Sequence, residues 1–131
     1  MTTKLPYADF LLDHYHHPRN RGKLNNPNFT FHILNPSCGD QVTLEGTIHD
    51  EIITQCYFEG KGCVISLAAA SILTTLAVGK TMNEVKNLQP QDLLKIMQVT
   101  LGPTRLRCAL LPLEALHTAL HNYTTKGSSH A

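Results

Sequence analysis

A chain of 131 residues with 42% hydrophobic content fits one compact soluble domain and leaves no room for a second core. Lys plus Arg total 11 against 10 for Asp plus Glu, a formal charge of +1, which argues against nucleic acid or an anionic membrane as the main partner. The opening Met1-Thr-Thr-Lys-Leu-Pro lacks the apolar core of a signal peptide, and Val64 to Val78 is too short and too rich in Ser and Thr to span a bilayer, so the expected location is a soluble, reducing cytoplasm.

Pro6, Tyr7, Phe10, Leu11 and Tyr15 make a one-sided pattern that predicts a short helix over residues 6 to 16. It ends near His17-Pro18, because the residue before a proline is pushed out of the helical region. The segment Pro18 to Asn28 is polar and turn-rich. Strands are predicted over Phe29 to Leu34, Gln41 to His49 and Ile52 to Phe58. In the second, Val42, Leu44 and Ile48 alternate with Thr43, Glu45, Thr47 and His49, as in a half-buried strand. His49-Asp50-Glu51 supplies a hairpin turn, so the second and third strands pair antiparallel. Cys56 falls inside the third strand and reads as a small buried apolar residue.

Gly60-Lys61-Gly62-Cys63 ends the sheet and opens a helix to about Val78, closed by Gly79. Its run Ala68-Ala69-Ala70-Ser71 lets it pack close to the sheet. Thr81-Met-Asn-Glu84 is a capping-box pattern for a short helix, and Pro90 starts another that runs to about Gln98. Gly102-Pro103 breaks the chain. A last helix is expected from about Ala109 to Tyr123, with Pro112 in its first turn, and residues 124–131 read as a disordered tail. The fold class is α+β: a three-stranded antiparallel sheet with helices packed on one face, in one domain over residues 1–123.

The cysteines stand at 38, 56, 63 and 108 with no CxxC pair. A reducing compartment keeps them as thiols, and a structural zinc site usually takes its ligands in close pairs. Single ligands scattered over several elements suit a site assembled only by folding. In Asn35-Pro36-Ser37-Cys38-Gly39-Asp40 a turn at Gly39 can aim a thiol and a carboxylate at one point. Cys63 and Cys108 are expected at or just before helix N-termini, where backbone N–H groups favour a thiolate, and Arg105 and Arg107 add charge beside Cys108. Cys38, Asp40, Cys63 and Cys108 are therefore the candidate metal ligands. Three sulfurs with one oxygen suit zinc or the iron of an iron–sulfur cluster, and the single oxygen makes the weaker bond to iron. Residue types alone leave open whether a metal is held.

Tyr7, Asp13-His14-Tyr15, Pro18-Arg19-Asn20-Arg21-Gly22, the NPxCGD element at 35–40, Gly62-Cys63 and Arg107-Cys108 together resemble the U-type iron–sulfur scaffold family. That family includes IscU, SufU and the amino-terminal domain of NifU, and the resemblance runs from about Tyr7 to Tyr123. It implies that Cys38, Asp40, Cys63 and Cys108 bind metal and cluster. It also implies persulfide sulfur from a cysteine desulfurase, iron from a separate donor, and a transient [2Fe–2S] cluster passed to apo iron–sulfur proteins. The alternative within the family is a SufU-like zinc-dependent sulfurtransferase, in which a ligand thiolate leaves zinc to take up the sulfur. Whether the chain is an enzyme thus stays open. So does the persulfide acceptor: Cys108 by the IscU-like reading, Cys38 by the SufU-like one. A zinc-stabilised binding module without sulfur chemistry is the third reading.

The pattern departs from the family in two places. Arg107 stands where IscU-type members have a histidine before the third cysteine, as in SufU-type members, and arginine cannot ligate a metal. Yet Cys63 and Cys108 lie too close for the insertion that SufU-type members carry between them. The LPPVK motif for an Hsp70-type chaperone reads Leu101-Gly-Pro-Thr-Arg105, which weakens that partner as an expectation. The histidines near Asp13 are expected in a partner-contacting arm, and His117 and His121 on a solvated helical face. Arg19, Arg21 and Lys61 are read as surface charges, with desulfurase docking as a possible role of the two arginines.

Overall fold

Period-two alternation builds the sheet. Val42 and Leu44 are buried within β2, Gln41–His49, while Gln41 and Thr43 on its other face are half-exposed. The strand is central in a computed structural model that describes residues 9–130, with side chains through Thr124. It pairs antiparallel with β1, Phe29–Leu34, and with β3, Ile52–Lys61, in the order β1-β2-β3. Asp50 and Glu51 make the hairpin between His49 and Ile52 with φ of 52° and 68°, the left-handed pair that suits a two-residue turn. β3 runs past its expected end at Phe58, because Glu59, Gly60 and Lys61 still pair with Thr43, Val42 and Gln41.

Helices cover one face. α2, Val64–Ala77, packs on β3, and α5, Pro103–His130, packs across β1 and β2 and against α2. Ala68, Ala69 and Ala70 are fully buried, so their small side chains let α2 lie close to its neighbours. Phe58 and Leu44 from the sheet, Ile72 and Leu73 from α2, and Leu116 and Leu120 from α5 form the centre of the core. Cys56 joins it as expected, and burial pushes its thiol up to about 12. α3, Met82–Lys86, opens with the expected capping box, in which Thr81 Oγ1 accepts from Glu84 N–H at 3.1 Å and Glu84 Oε1 from Thr81 N–H at 2.9 Å. α4, Pro90–Met97, begins at its proline and ends at a left-handed Gln98. Among the described residues no helix is long and apolar enough to cross a membrane.

The last helix departs most from expectation. It starts at Pro103, not near Ala109, with Leu106 N–H already bonded to Gly102 O at 2.8 Å. Pro103 is a stable first residue, since its missing N–H would have no helical partner there. Pro112 therefore lies inside the helix, where it lacks the N–H that would bond the Cys108 carbonyl. At the other end the backbone stays helical to His130, past the expected end at Tyr123 and through most of the segment read as a disordered tail. Thr124 is held there, its hydroxyl donating to Leu120 O at 2.9 Å and accepting from Lys86 Nζ at 2.5 Å.

α1, Asp9–His16, is locked onto α2 by a buried polar cluster. Ser71 Oγ accepts from Arg19 N–H at 2.8 Å and pairs with His14 Nδ1 at 2.7 Å, and Asn20 Nδ2 donates to Thr74 Oγ1 at 3.2 Å. Burial, with Arg19 nearby, holds the His14 imidazole below its ordinary range, so it stands here as a neutral partner of Ser71. His14 is therefore spent on holding α1 in place. Pro6 and Tyr7, expected at the start of this helix, lie outside the described residues.

Ser71→Ala strands both His14 and the Arg19 N–H, and should cost about 2 kcal/mol in urea unfolding of the metal-free protein. An unchanged midpoint would mean that this cluster does not hold α1. Because the folded state favours neutral His14, stability should also fall as pH drops below about 6.5, and His14→Gln should flatten that slope.

Candidate metal centre

The NPxCGD loop closes on itself. Gly39 N–H donates to Asn35 O at 2.8 Å, Asn35 N–H donates to Asp40 O at 2.8 Å, and Ser37 N–H donates to Asn35 Oδ1 at 3.0 Å. Gly39 has φ of +82°, a conformation that favours glycine. The turn lifts Cys38 to an exposed tip and sets Asp40 at the buried base, where β2 begins.

Three of the four expected residues meet there. One ligand atom each from Cys38, Asp40 and Cys108 lies within 4.8 Å of the others. Cys63 falls outside that group. It occupies the N-cap of α2, as expected, with its sulfur 3.8 Å from Ser66 Oγ. It still borders the centre, since its sulfur is a neighbour of the Cys108 thiol.

Cys108 is not at a helix N-terminus. It sits in the second turn of α5 and is 3% exposed. Burial first, then Asp40 and Cys63 close by, push its thiol well above the ordinary range, the reverse of the expected thiolate. Arg105 and Arg107 are exposed on the same turns, and Arg107 lines a cleft with Asn35, Pro36 and Leu34 beside the centre.

The centre is also fitted around a carboxylate. Asp40 is 6% exposed, and its Oδ2 is buried with no hydrogen-bond partner among the described residues. A buried carboxylate oxygen left alone is costly, and a bound cation would satisfy it. Gly62 makes the space: a Cβ there would stand 2.9 Å from Asp40 Cγ and 2.4 Å from Ser66 Oγ. Two or three sulfurs and a carboxylate oxygen around such a point fit zinc or iron by donor type. Gly62 was read only as part of the turn before Cys63, not as the space beside Asp40, and Ser66 was not singled out, although its spacing from Cys63 on one helical turn was visible.

The remaining candidates sit elsewhere. Arg19 pairs with Asp13 at 2.6 Å, and Arg21 Nε with Glu59 at 2.9 Å while its Nη2 donates to Gly60 O at 2.9 Å. His117 Nε2 meets Val85 O at 2.9 Å, so it tethers α5 to α3 and is not on a solvated face. His16 and His17 are exposed.

The chain as a whole is similar to known proteins. The family model described as the NifU-like N-terminal domain matches residues 6–130. The iron–sulfur cluster assembly scaffold protein IscU of Rickettsia prowazekii (strain Madrid E) is 32% identical over 126 residues, covering 93% of this chain and 95% of that protein. The zinc-dependent sulfurtransferase SufU of Bacillus subtilis (strain 168) is also 32% identical, over 127 residues, 84% of this chain and 86% of its own. Among solved structures, the SUF-system protein FiSufU from the thermophile Fervidobacterium islandicum AW-1 has a TM-score of 0.73 at 29% identity, covering 88% of this chain and 96% of that one. With nearly its whole length matched, the chain belongs to the NifU-like N-terminal domain family of U-type iron–sulfur scaffolds.

Proposed function

We propose that this chain is an iron–sulfur cluster assembly scaffold, on which sulfur and iron meet at Cys38, Asp40, Cys63 and Cys108. The observation that carries it is the buried, unpartnered Asp40 Oδ2 beside two thiols, a centre incomplete without a cation. Kinship with a cluster-assembly scaffold supports the same reading. The cargo is a transient [2Fe–2S] cluster, built from ferrous iron and from persulfide sulfur delivered by a cysteine desulfurase and reduced to sulfide by electrons from the iron and a thiol reductant, then passed to apo iron–sulfur proteins.

Accessibility favours Cys38 as the first sulfur acceptor. It is exposed at the turn tip, whereas Cys108 is buried. The Cys38 thiolate attacks the outer sulfur of the desulfurase persulfide, and the desulfurase cysteine leaves as a thiolate. Attack of this kind needs a path to the incoming sulfur, and Cys108 is only 3% exposed.

Arg107 favours a second reading. Without a histidine before Cys108 the donor set is the three cysteines and Asp40, and the chain is as similar to the zinc-dependent sulfurtransferase SufU as to IscU. Zinc bound there would hold the sulfurs as thiolates. Cys38 would then carry sulfur onward, and no cluster would form.

Anaerobic incubation of zinc-stripped and zinc-loaded protein with a cysteine desulfurase, cysteine, ferrous iron and a thiol reductant separates the two. The scaffold reading predicts visible cluster bands on the stripped protein, then acquired by an apo-ferredoxin. Zinc-dependent acceleration of desulfurase turnover without those bands would replace it with the sulfurtransferase. Cys38→Ala should abolish sulfur uptake, measured by mass spectrometry, whereas Cys56→Ala should leave it intact. Gly62→Ala drives a methyl against Asp40, so zinc affinity in a chelator competition should fall roughly tenfold; unchanged affinity would place Asp40 outside the ligand set.

A further inference from the structure

Cys63 is the member of the set that falls outside the converging group, and a hydroxyl meets its sulfur. Its thiol donates to Ser66 Oγ at 3.8 Å, and Ser66 Oγ donates in turn to the Cys63 carbonyl at 3.2 Å. Ser66 is 2% exposed, so water does not compete for these bonds. The same hydroxyl borders Asp40: one point, the Cβ position above Gly62, lies 2.4 Å from Ser66 Oγ and 3.1 Å from Asp40 Oδ1. Meanwhile Cys38, Asp40 and Cys108 already converge without Cys63.

We propose that Ser66 is a positioning residue that parks Cys63, which makes Cys63 the thiol that joins and leaves while the other two thiols stand. The inference rests on the metal-site reading above and adds a division of labour within it. Two effects act in the same direction. In the empty site a cation must pull the Cys63 sulfur away from Ser66. In the filled site Cys63 has lost its proton to solvent, and the Ser66 O–H can swing from the Cys63 carbonyl to the sulfur. That hydrogen bond draws electron density from the sulfur–metal bond and weakens it. The first opposes binding and the second shortens the time for which a metal or cluster is held, which suits a site that must release its cargo.

Cobalt(II) added to the zinc-stripped protein tests this, because thiolate-to-cobalt absorbance reports the bound sulfurs directly. Release to excess chelator is followed for the wild type, Ser66→Ala, Cys63→Ala and the double variant. Ser66→Ala should release cobalt roughly fivefold more slowly, the factor carried by one hydrogen bond. It should keep the thiolate absorbance and have no effect on release in the Cys63→Ala background. Ser66→Thr, which retains the hydroxyl, should release at the wild-type rate. Thermal unfolding of the metal-free variants registers any loss of fold. Equal or faster release from Ser66→Ala, or the same change with Cys63 absent, overturns the proposal and leaves Ser66 a packing residue. A wild type with no thiolate absorbance overturns the metal-site reading and this inference with it.

Discussion

One carboxylate oxygen organises the centre. Among the described residues Asp40 Oδ2 is buried without a hydrogen-bond partner. Gly62 withholds a side chain from the space beside it, and the hydrogen bonds of the 35–40 turn fix the backbone that carries it. Leaving such a group alone is unfavourable, and a bound cation would relieve that cost. The thiols share this logic. Cys108 is held protonated by burial and by its neighbours, and a bound metal would reverse each of those influences.

The rest of the fold supplies rigid mounts from separate parts of the chain. Asp40 immediately precedes the central strand, Cys63 caps α2, and Cys108 lies on α5, while Cys38 rides on a self-closed turn. α2 and α5 pack on each other and on the same sheet face, so their relative position is set by the hydrophobic core. Precision thus comes from the core and from the closed turn. Because the ligands sit on independent elements, holding a metal also ties those elements together, and affinity is coupled to folding.

Much of this was legible in the sequence. Alternation in residues 41–49, the Asp50-Glu51 turn, the Thr81–Glu84 capping box and the proline at the start of α4 are local signals, and each formed as read. The NPxCGD element and three ordered cysteines pointed to the site before any geometry. What failed was non-local. Pro112 looked like a first-turn residue, yet Ala109, Leu113, Leu116 and Leu120 bury one continuous stripe that carries the helix through it from Pro103. That shift moved Cys108 off a helix end and reversed the expected state of its thiol. The His117 bond to Val85 O and the Ser66 contacts join residues through tertiary packing or side-chain rotation, which periodicity does not encode.

The central claim is that Asp40 closes the centre with its weakest bond and so sets how long the cargo stays. The most direct measurement is the lifetime of a reconstituted cluster on Asp40→Ala beside that on the wild type, followed anaerobically by visible absorbance with and without an apo-ferredoxin. Loss of the exchangeable oxygen should lengthen the lifetime and slow transfer to the ferredoxin. A cluster lost from the variant as fast as from the wild type would contradict the account and move the point of release elsewhere in the site.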